Sequence, residues 1–274
     1  MKPSIQITLL SALGIVFSST SEGTVIFQDT FDSGVGTWYK ASATTGTLSN
    51  SSQRLSWSEN GDGITEVIGR SIPTTTVAVG EMLRLSYSYT PTAANSIIRA
   101  GLYTLNGTIS QDGWGFDSTA LTGGFSGYNS FLRVNSTGNQ AARSDSGSLT
   151  TGTTTTANGP LQAGTSLTTV SGDTNTFTVT AGTTYTVTYD LIRTASGSIT
   201  TVYTLNDGTS NVLQVTGSGT ASNFTFNAVT IRQTGGVAIY DNITLETLPI
   251  PEPSAVLLSG VALTGFAFSR RRRN

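Results

Sequence analysis

From Leu83 to Thr90 the chain reads Leu-Arg-Leu-Ser-Tyr-Ser-Tyr-Thr, with a large apolar side chain at every second position. Tyr185, Val187, Tyr189 and Leu191 repeat the pattern, alternating with Thr184, Thr186, Thr188 and Asp190. A period of two puts successive side chains on opposite faces of a pleated strand, which a helix cannot do. Such a strand has one apolar face, and only a second layer can bury it. Leu85 and Val187 are therefore expected to point inward, with Arg84 and Thr188 on the outer surface. Similar segments are Thr24–Phe27, Arg54–Ser58, Thr65–Ile72, Ile97–Leu105, Tyr128–Val134, Thr176–Thr180, Ile199–Leu205, Val212–Thr216, Phe224–Gln233 and Val237–Thr247. Between the two ends of the chain no helical period is found.

Asn106-Gly107, Asn206-Asp207-Gly208 and Gly235-Gly236 separate several of these segments, and such residues accept the positive φ of tight hairpin turns. About a dozen closely spaced strands without helices predict an all-β fold, a two-sheet antiparallel β-sandwich of the jelly-roll kind. Only 11% of residues are charged and Ser, Thr and Gly abound, which would also suit a disordered chain. Regularly placed aromatic and branched residues contradict that, because they supply the core a disordered chain lacks. Ser136 to Ser166 differs. It has few large apolar residues and reads as a long polar loop, disordered or with one frayed strand.

Cysteine and histidine are both absent. Without disulfides, stability rests on the core. Without imidazole, Ser-His-Asp, Cys-His and histidine-based zinc chemistry are excluded. The net charge of −2 includes both ends of the chain. Setting aside Lys2 and four terminal arginines leaves 9 of 14 basic residues, and setting aside Glu252 leaves 15 of 16 acidic ones. A body near −6 repels phosphate backbones, so nucleic acid is not an expected partner.

The two ends carry addresses rather than fold. Lys2, an apolar stretch from Ile5 to Phe17 and the small residues Ser19-Thr20-Ser21 compose a secretory signal peptide over residues 1–21, in helical form. At the other end Pro251-Glu252-Pro253 is followed by an apolar run from Ala255 to Phe268 and by Arg270, Arg271, Arg272 and Arg273. The run is slightly short for a spanning helix of roughly 17–25 residues, but flanking arginines can snorkel and the bilayer can thin. The basic end marks the cytoplasmic side. Pro251 and Pro253 favour an extended backbone that a processing enzyme can thread through its cleft. The expected domains are thus a signal peptide at 1–21, a sandwich at 22–249 and, at 250–274, a sorting segment with a hydrophobic transmembrane helix.

This tail resembles the PEP-CTERM sorting signal of Gram-negative bacteria that make extracellular polymer. The resemblance implies recognition by an exosortase that cuts near the triplet, transient residence in the inner membrane, and release to the cell surface or matrix. Phe27-Gln28-Asp29-Thr30-Phe31-Asp32 with Trp38 resembles the first strand of concanavalin-like (laminin-G or legume-lectin type) jelly rolls. Val237 to Leu245 resembles their last strand, which returns beside the first, and Ile98 to Tyr103 resembles an inner-sheet strand. A galactose-binding-type jelly roll is the competing architecture.

Without histidine, catalysis would rest on carboxylates. Glu59-Asn60-Gly61-Asp62-Gly63-Ile64-Thr65-Glu66 is the densest acidic cluster, but its glycines make it a turn, and glycosidase carboxylates need rigid placement about 5–9 Å apart. The chain is read as having no catalytic residues and no required cofactor. Structural calcium is one use for Asp29 or Asp32 with Asp241 and Asn242, should the first and last strands be neighbours; turn capping is the other. Trp38 and Trp57 read as core. Trp114 lies in Asp112-Gly113-Trp114-Gly115-Phe116-Asp117, where flanking glycines leave its ring open to a sugar, with Asp112 and Asp117 as hydroxyl acceptors and Tyr128 nearby. Burial of the Trp114 ring in the core is the equal alternative. The function expected is that of an exported, non-catalytic surface or matrix protein with weak binding to extracellular polysaccharide. A dedicated carbohydrate-binding module of a polysaccharide-degrading system is the alternative, and a carboxylate-dependent glycosidase a more remote one.

Overall fold

Among the described residues the chain forms sixteen strands: β1 (Thr24–Asp29), β2 (Tyr39–Lys40), β3 (Thr47–Asn50), β4 (Leu55–Ser58), β5 (Val67–Thr76), β6 (Glu81–Pro91), β7 (Ile97–Leu105), β8 (Gly123–Arg133), β9 (Ala141–Leu149), β10 (Thr165–Ser166), β11 (Thr168–Gly172), β12 (Tyr185–Arg193), β13 (Ser198–Asn206), β14 (Asn211–Thr220), β15 (Thr225–Thr234) and β16 (Val237–Pro249). The structure is a computed structural model that describes residues 23–43, 46–58, 67–92, 97–115, 121, 123–134, 141–149, 165–172 and 177–250. The two terminal segments, the Glu59–Glu66 cluster and Asp117 lie outside the described residues. Among the described residues there is no helix, and therefore none long and apolar enough to cross a membrane.

Two antiparallel sheets form a sandwich. The nine-stranded sheet runs β11-β14-β13-β12-β6-β16-β4-β3, with β1 also beside β16; the seven-stranded sheet runs β10-β9-β8-β7-β15-β5-β2. The first and last strands are neighbours, with Asp29 opposite Ile243 and Phe27 opposite Leu245. A bulge at Asn242, whose φ is +50°, lets one long strand hold two partners along the same edge. Val237 to Tyr240 pair with β4 before it, and Ile243 to Thr247 pair with β1 after it.

Leu85 shows why alternation specifies this arrangement. It faces Tyr189 on one neighbouring strand and Leu245 on the other, and all three are completely buried. Tyrosines fill much of the same inner layer. Tyr87 and Tyr203 share a hydroxyl–hydroxyl hydrogen bond of 2.8 Å, and the Tyr240 hydroxyl donates to Gln233 Oε1 at 3.1 Å. Burial pushes the Tyr87, Tyr203 and Tyr240 hydroxyls well above their usual range, so they keep the protons these bonds need.

The outer surface of the same strands departs from the simple expectation. Thr188 is half-buried and Arg84 is not merely solvated. Arg84 Nε and Nη2 donate to the two oxygens of Asp190 at 2.7 and 2.8 Å, and the Asp190 side chain is only 11% exposed. Leu85→Ala should cost about 2–5 kcal/mol as a core truncation. Arg84→Ala should cost about 1–3 kcal/mol, because it strands a largely buried carboxylate. Chemical denaturation of both variants checks the pair, and a neutral Arg84→Ala would show that the fork contributes nothing.

Three sequence expectations are corrected. Residues 141–149, read as part of a polar loop, form β9, a full-length strand paired with β8. Its apolar content is low because the neighbouring strand and the opposing sheet supply the large side chains; inward Ala142 is small and packs where Gly217 leaves room. Gly235-Gly236 is not a hairpin turn. It carries the chain from β15 in one sheet to β16 in the other, with φ of +86° and +83°. Buried Gln233 ties the crossing by donating to the carbonyls of Trp57 and Gly236 at 3.0 and 3.1 Å. Of Thr176–Thr180, the described residues from Phe177 onward supply only an isolated parallel bridge, Phe177 to Val134.

Candidate functional site

The outer face of the seven-stranded sheet is built from alternate residues of β5, β15, β7, β8 and β9. Across β15, β7, β8 and β9 one row reads Arg232, Arg99, Phe131, Ala141, and the next reads Thr230, Gly101, Asn129, Arg143. A further row continues Ala228, Tyr103, Gly127. One half of this face is apolar and covered. Residues 106–115 fold over it, with Gly113 N and Gly115 N donating to the carbonyls of Lys40 and Ala41 at 2.9 and 3.0 Å. Trp114, Ile109 and Leu121 thereby close a satellite core with Ala41, Val67, Tyr103, Leu105, Phe125 and Ala228.

The other half is cationic. The guanidinium carbons of Arg99, Arg143 and Arg133 lie 4.8, 5.0 and 5.7 Å from the centre of the Phe131 ring. Arg232 sits directly across the ladder from Arg99 and is 4% exposed, whereas Arg99, Arg133 and Arg143 are half-buried. Like charges directly opposite on neighbouring strands are destabilising. Burial first, then the charges of Arg232, Arg143 and Arg133, hold Arg99 below its usual value, down to about 9, with Tyr103 opposing. Arg99 therefore remains charged at neutral pH. Between the halves, Asn129 Nδ2 donates to the Tyr103 hydroxyl at 3.1 Å and both residues are fully buried.

The expected sugar platform is corrected. Trp114 is 1% exposed, and its ring packs so closely over Gly69 that a Cβ there would stand 2.8 Å from Trp114 Cζ2. Its Nε1–H donates to the Tyr39 carbonyl at 3.1 Å. The flanking glycines serve close approach of the loop, not exposure of the ring: a Cβ on Gly115 would meet Ala41 Cβ at 2.9 Å. Asp112 is a clamp for this loop, accepting from Lys40 N at 2.9 Å and pairing with Lys40 Nζ at 3.6 Å. Tyr128 belongs to the opposite, inward face, stacked edge-on against Phe226. Trp114 and Tyr128 are thus on opposite sides of one sheet and share no surface.

The four residues considered for calcium are only partly brought together. Asp29 accepts from Phe31 N, Trp38 Nε1 and Arg70 Nη1 at 3.1, 3.2 and 3.2 Å, so both of its oxygens are engaged. Asp32 accepts from Thr30 Oγ1 at 2.7 Å, and Asp241 Oδ1 from the backbone of Asn242 at 2.7 Å. These are turn and bulge contacts, and Arg70 brings a positive charge to the spot. Among the described residues no group of three or more histidine, cysteine, aspartate or glutamate side chains is placed to hold a metal ion. Trp38 and Trp57 are buried in the main core, as expected.

The arginine cluster was missed at the level of sequence. Its signal was arginine at a strand-interior position beside apolar neighbours, as in Ile98-Arg99-Ala100 and Leu132-Arg133-Val134. Each instance is unremarkable alone, and only the strand order brings them together.

Residues 249–273 match the PEP-CTERM protein-sorting motif. That motif marks export and cell-surface sorting in Gram-negative bacteria, and it implies processing by an exosortase. No curated protein matches the chain. Among solved structures, alginate lyase Aly36B is similar at 12% identity over 76% of this chain and 96% of that one, with a TM-score of 0.38. The metal-free carbohydrate recognition domain of Emp46p is similar at 12% identity over 78% and 88%, with a TM-score of 0.38. The β-porphyranase BpGH16B from the human gut bacterium Bacteroides plebeius is similar at 9% identity over 84% and 93%, with a TM-score of 0.41. Lectins and glycan-degrading enzymes both occur in this set, and likeness at this level does not decide between them.

Proposed function

We propose that the protein is an exported, non-catalytic component of the cell surface or extracellular matrix, whose sandwich holds polysaccharide. A signal peptide over residues 1–21 and a sorting tail from residue 250 flank it. The observation that carries this reading is the junction between fold and address. The last strand, β16, ends at Pro249, and Ile250 N donates to the Gly80 carbonyl at 2.8 Å, one residue before Pro251. The sorting motif therefore takes up where the sandwich stops, which makes the sandwich itself the cargo.

The absence of histidine and cysteine supports a non-catalytic role. So does the structural employment of Asp29, Asp112 and Asp190 in ion pairs with Arg70, Lys40 and Arg84. Processing would remove residues 1–21 and separate the body from Arg270–Arg273 near Pro251-Glu252-Pro253. Intact mass spectrometry of the surface-associated protein is expected to show a chain lacking both ends. A species outside the inner membrane that still carries Arg270–Arg273 would overturn the reading.

A further inference from the structure

We infer that one end of the nine-stranded sheet, at Val25, Val79, Met82, Ile192 and Leu248, rests on the surface of a lipid bilayer while the sorting tail is inserted there. The inference rests on the proposed function, which gives the chain that tail, and it names the surface by which the body meets the membrane. Met82 stands between Ile192 and Leu248 across the ladder, and all three are half-buried. They alternate with Leu83, Leu191 and Leu245, which are completely buried between the sheets, so the row faces outward. Val25 lies opposite Glu246, the neighbour of Leu248 along that outer face. Val79 sits in the turn before β6, which Gly80 N ties to β12 beside Ile192 by donating to the Arg193 carbonyl at 2.8 Å. Val25 and Val79 are 54% and 53% exposed, the two large hydrophobic residues that are exposed among the described residues. Both therefore flank one apolar row, and apolar groups gathered at a surface mark a place of contact.

What covers the row follows from where the chain leaves it. Ile250 N donates to the Gly80 carbonyl at 2.8 Å, and Thr24 pairs with Thr247, so both terminal segments depart from this end of the sheet. Four residues, Pro251 to Ser254, separate Ile250 from the apolar run that begins at Ala255. Fully extended, that connection reaches about 18 Å. Once the run is inserted, the body cannot stand further off, and a headgroup layer about 5–8 Å thick fills part of that gap. Folding of the run back onto the row is disfavoured, because Pro251 and Pro253 favour extended backbone over the reversal this requires. Charge does not drive the contact. Glu81 lies opposite Arg193 and Glu246 opposite Arg84, so the rim has no excess of positive groups to attract anionic lipid. The seating is apolar, and zwitterionic lipid suffices. It keeps Pro251-Glu252-Pro253 close to the bilayer surface, within reach of a processing enzyme that is itself in the membrane.

The chain has no cysteine, so single introduced cysteines can carry an environment-sensitive fluorophore without interference. The full chain is placed in phosphatidylcholine nanodiscs, and label depth is read from quenching by nitroxide-bearing lipid in Val25→Cys, Val79→Cys, Thr209→Cys and Ser259→Cys. Labels at 25 and 79 are expected about 5–10 Å into the boundary between headgroups and acyl chains. Their depth should not change in about 1 M salt, which screens charge and leaves apolar contact in place. Thr209, in the turn at the opposite end of the sheet and about 20 Å away along the strands, should not be quenched. Ser259, within the apolar run, should be quenched most deeply. Val79→Asp, an exposed change that should leave the melting temperature unaltered, is expected to make the label at 25 shallower. Quenching at 259 without quenching at 25 and 79 would overturn the inference and leave the proposed function standing. No quenching at 259 would remove the inserted tail and count against both. Blue-shifted emission at 25 and 79 without quenching would put a second copy or the chain's own tail on the row, and equal depth in Val79→Asp would show that the valines do not hold it; either result also overturns the inference.

Discussion

Trp114→Ala is expected to lower the stability of the sandwich by about 3–5 kcal/mol, the usual cost of emptying an aromatic site in a core. For a domain of this size that is a fall of roughly 6–20 °C in melting temperature. The ring is 1% exposed and closes the satellite core between residues 106–115 and the outer face of the seven-stranded sheet. Its removal also leaves the Tyr39 carbonyl without the indole donor at 3.1 Å. Trp114→Phe should recover much of the loss, since it restores most of the packing but not that bond. Thermal melts followed by far-ultraviolet circular dichroism decide the matter. A variant that melts with the wild type yet loses polysaccharide binding would restore Trp114 as an exposed stacking surface.

Gly127→Ala is expected to be as damaging although it adds a single methyl group. Gly127 lies opposite Tyr103 in the β7–β8 ladder, and a Cβ there would stand 2.1 Å from the Leu102 carbonyl oxygen and 2.6 Å from Tyr103 Cδ1. The first contact is backbone in the middle of a sheet, which cannot swing aside. The cost should exceed the roughly 1–3 kcal/mol of ordinary overpacking. It should also move Tyr103 off the Asn129 amide and so disturb the border of the arginine patch. Gly219 provides the comparison, because a Cβ there meets only Leu167 Cδ2 within 3 Å, at 2.9 Å, and a side-chain end can yield. Amide hydrogen exchange should show lost protection along β7 and β8 in Gly127→Ala and little change in Gly219→Ala. Equal protection in the two variants would mean that the ladder tolerates the methyl group.

These outcomes separate what local pattern encodes from what neighbours impose. Strand positions were legible where apolar residues alternate over a long stretch, as at Leu83–Thr90 and Tyr185–Leu191, because burying one face is enough to specify a strand, whereas the short alternation around Phe177 gave only a bridge. The same rule correctly turned Leu85 and Val187 inward. It failed at Ala141–Leu149, where the strand carries few large side chains of its own. It also failed at Gly235-Gly236, because positive φ permits a reversal but does not say which sheet receives the next strand.

The site follows the same division. The Pro-Glu-Pro tail was readable directly, since a sorting signal is recognised as a linear segment and residues 249–273 carry it whole. The absence of histidine and cysteine likewise needed no structure to restrict the chemistry. By contrast, the glycines around Trp114 suggested an open ring, and the fold used them to bring a loop close enough to bury it. Arg99, Arg133, Arg143 and Arg232 lie on four strands and are separated by up to 133 positions in the chain, between Arg99 and Arg232. Their meeting depends on the order β9-β8-β7-β15 and on its register. Sequence alone thus determined most of the strands, the sorting tail and the chemistry excluded, because each is a property of neighbouring residues or of composition. Which glycines clear space, which tryptophan is buried and which arginines share a surface were decided by the tertiary structure, because those properties belong to pairs of strands that only folding brings together.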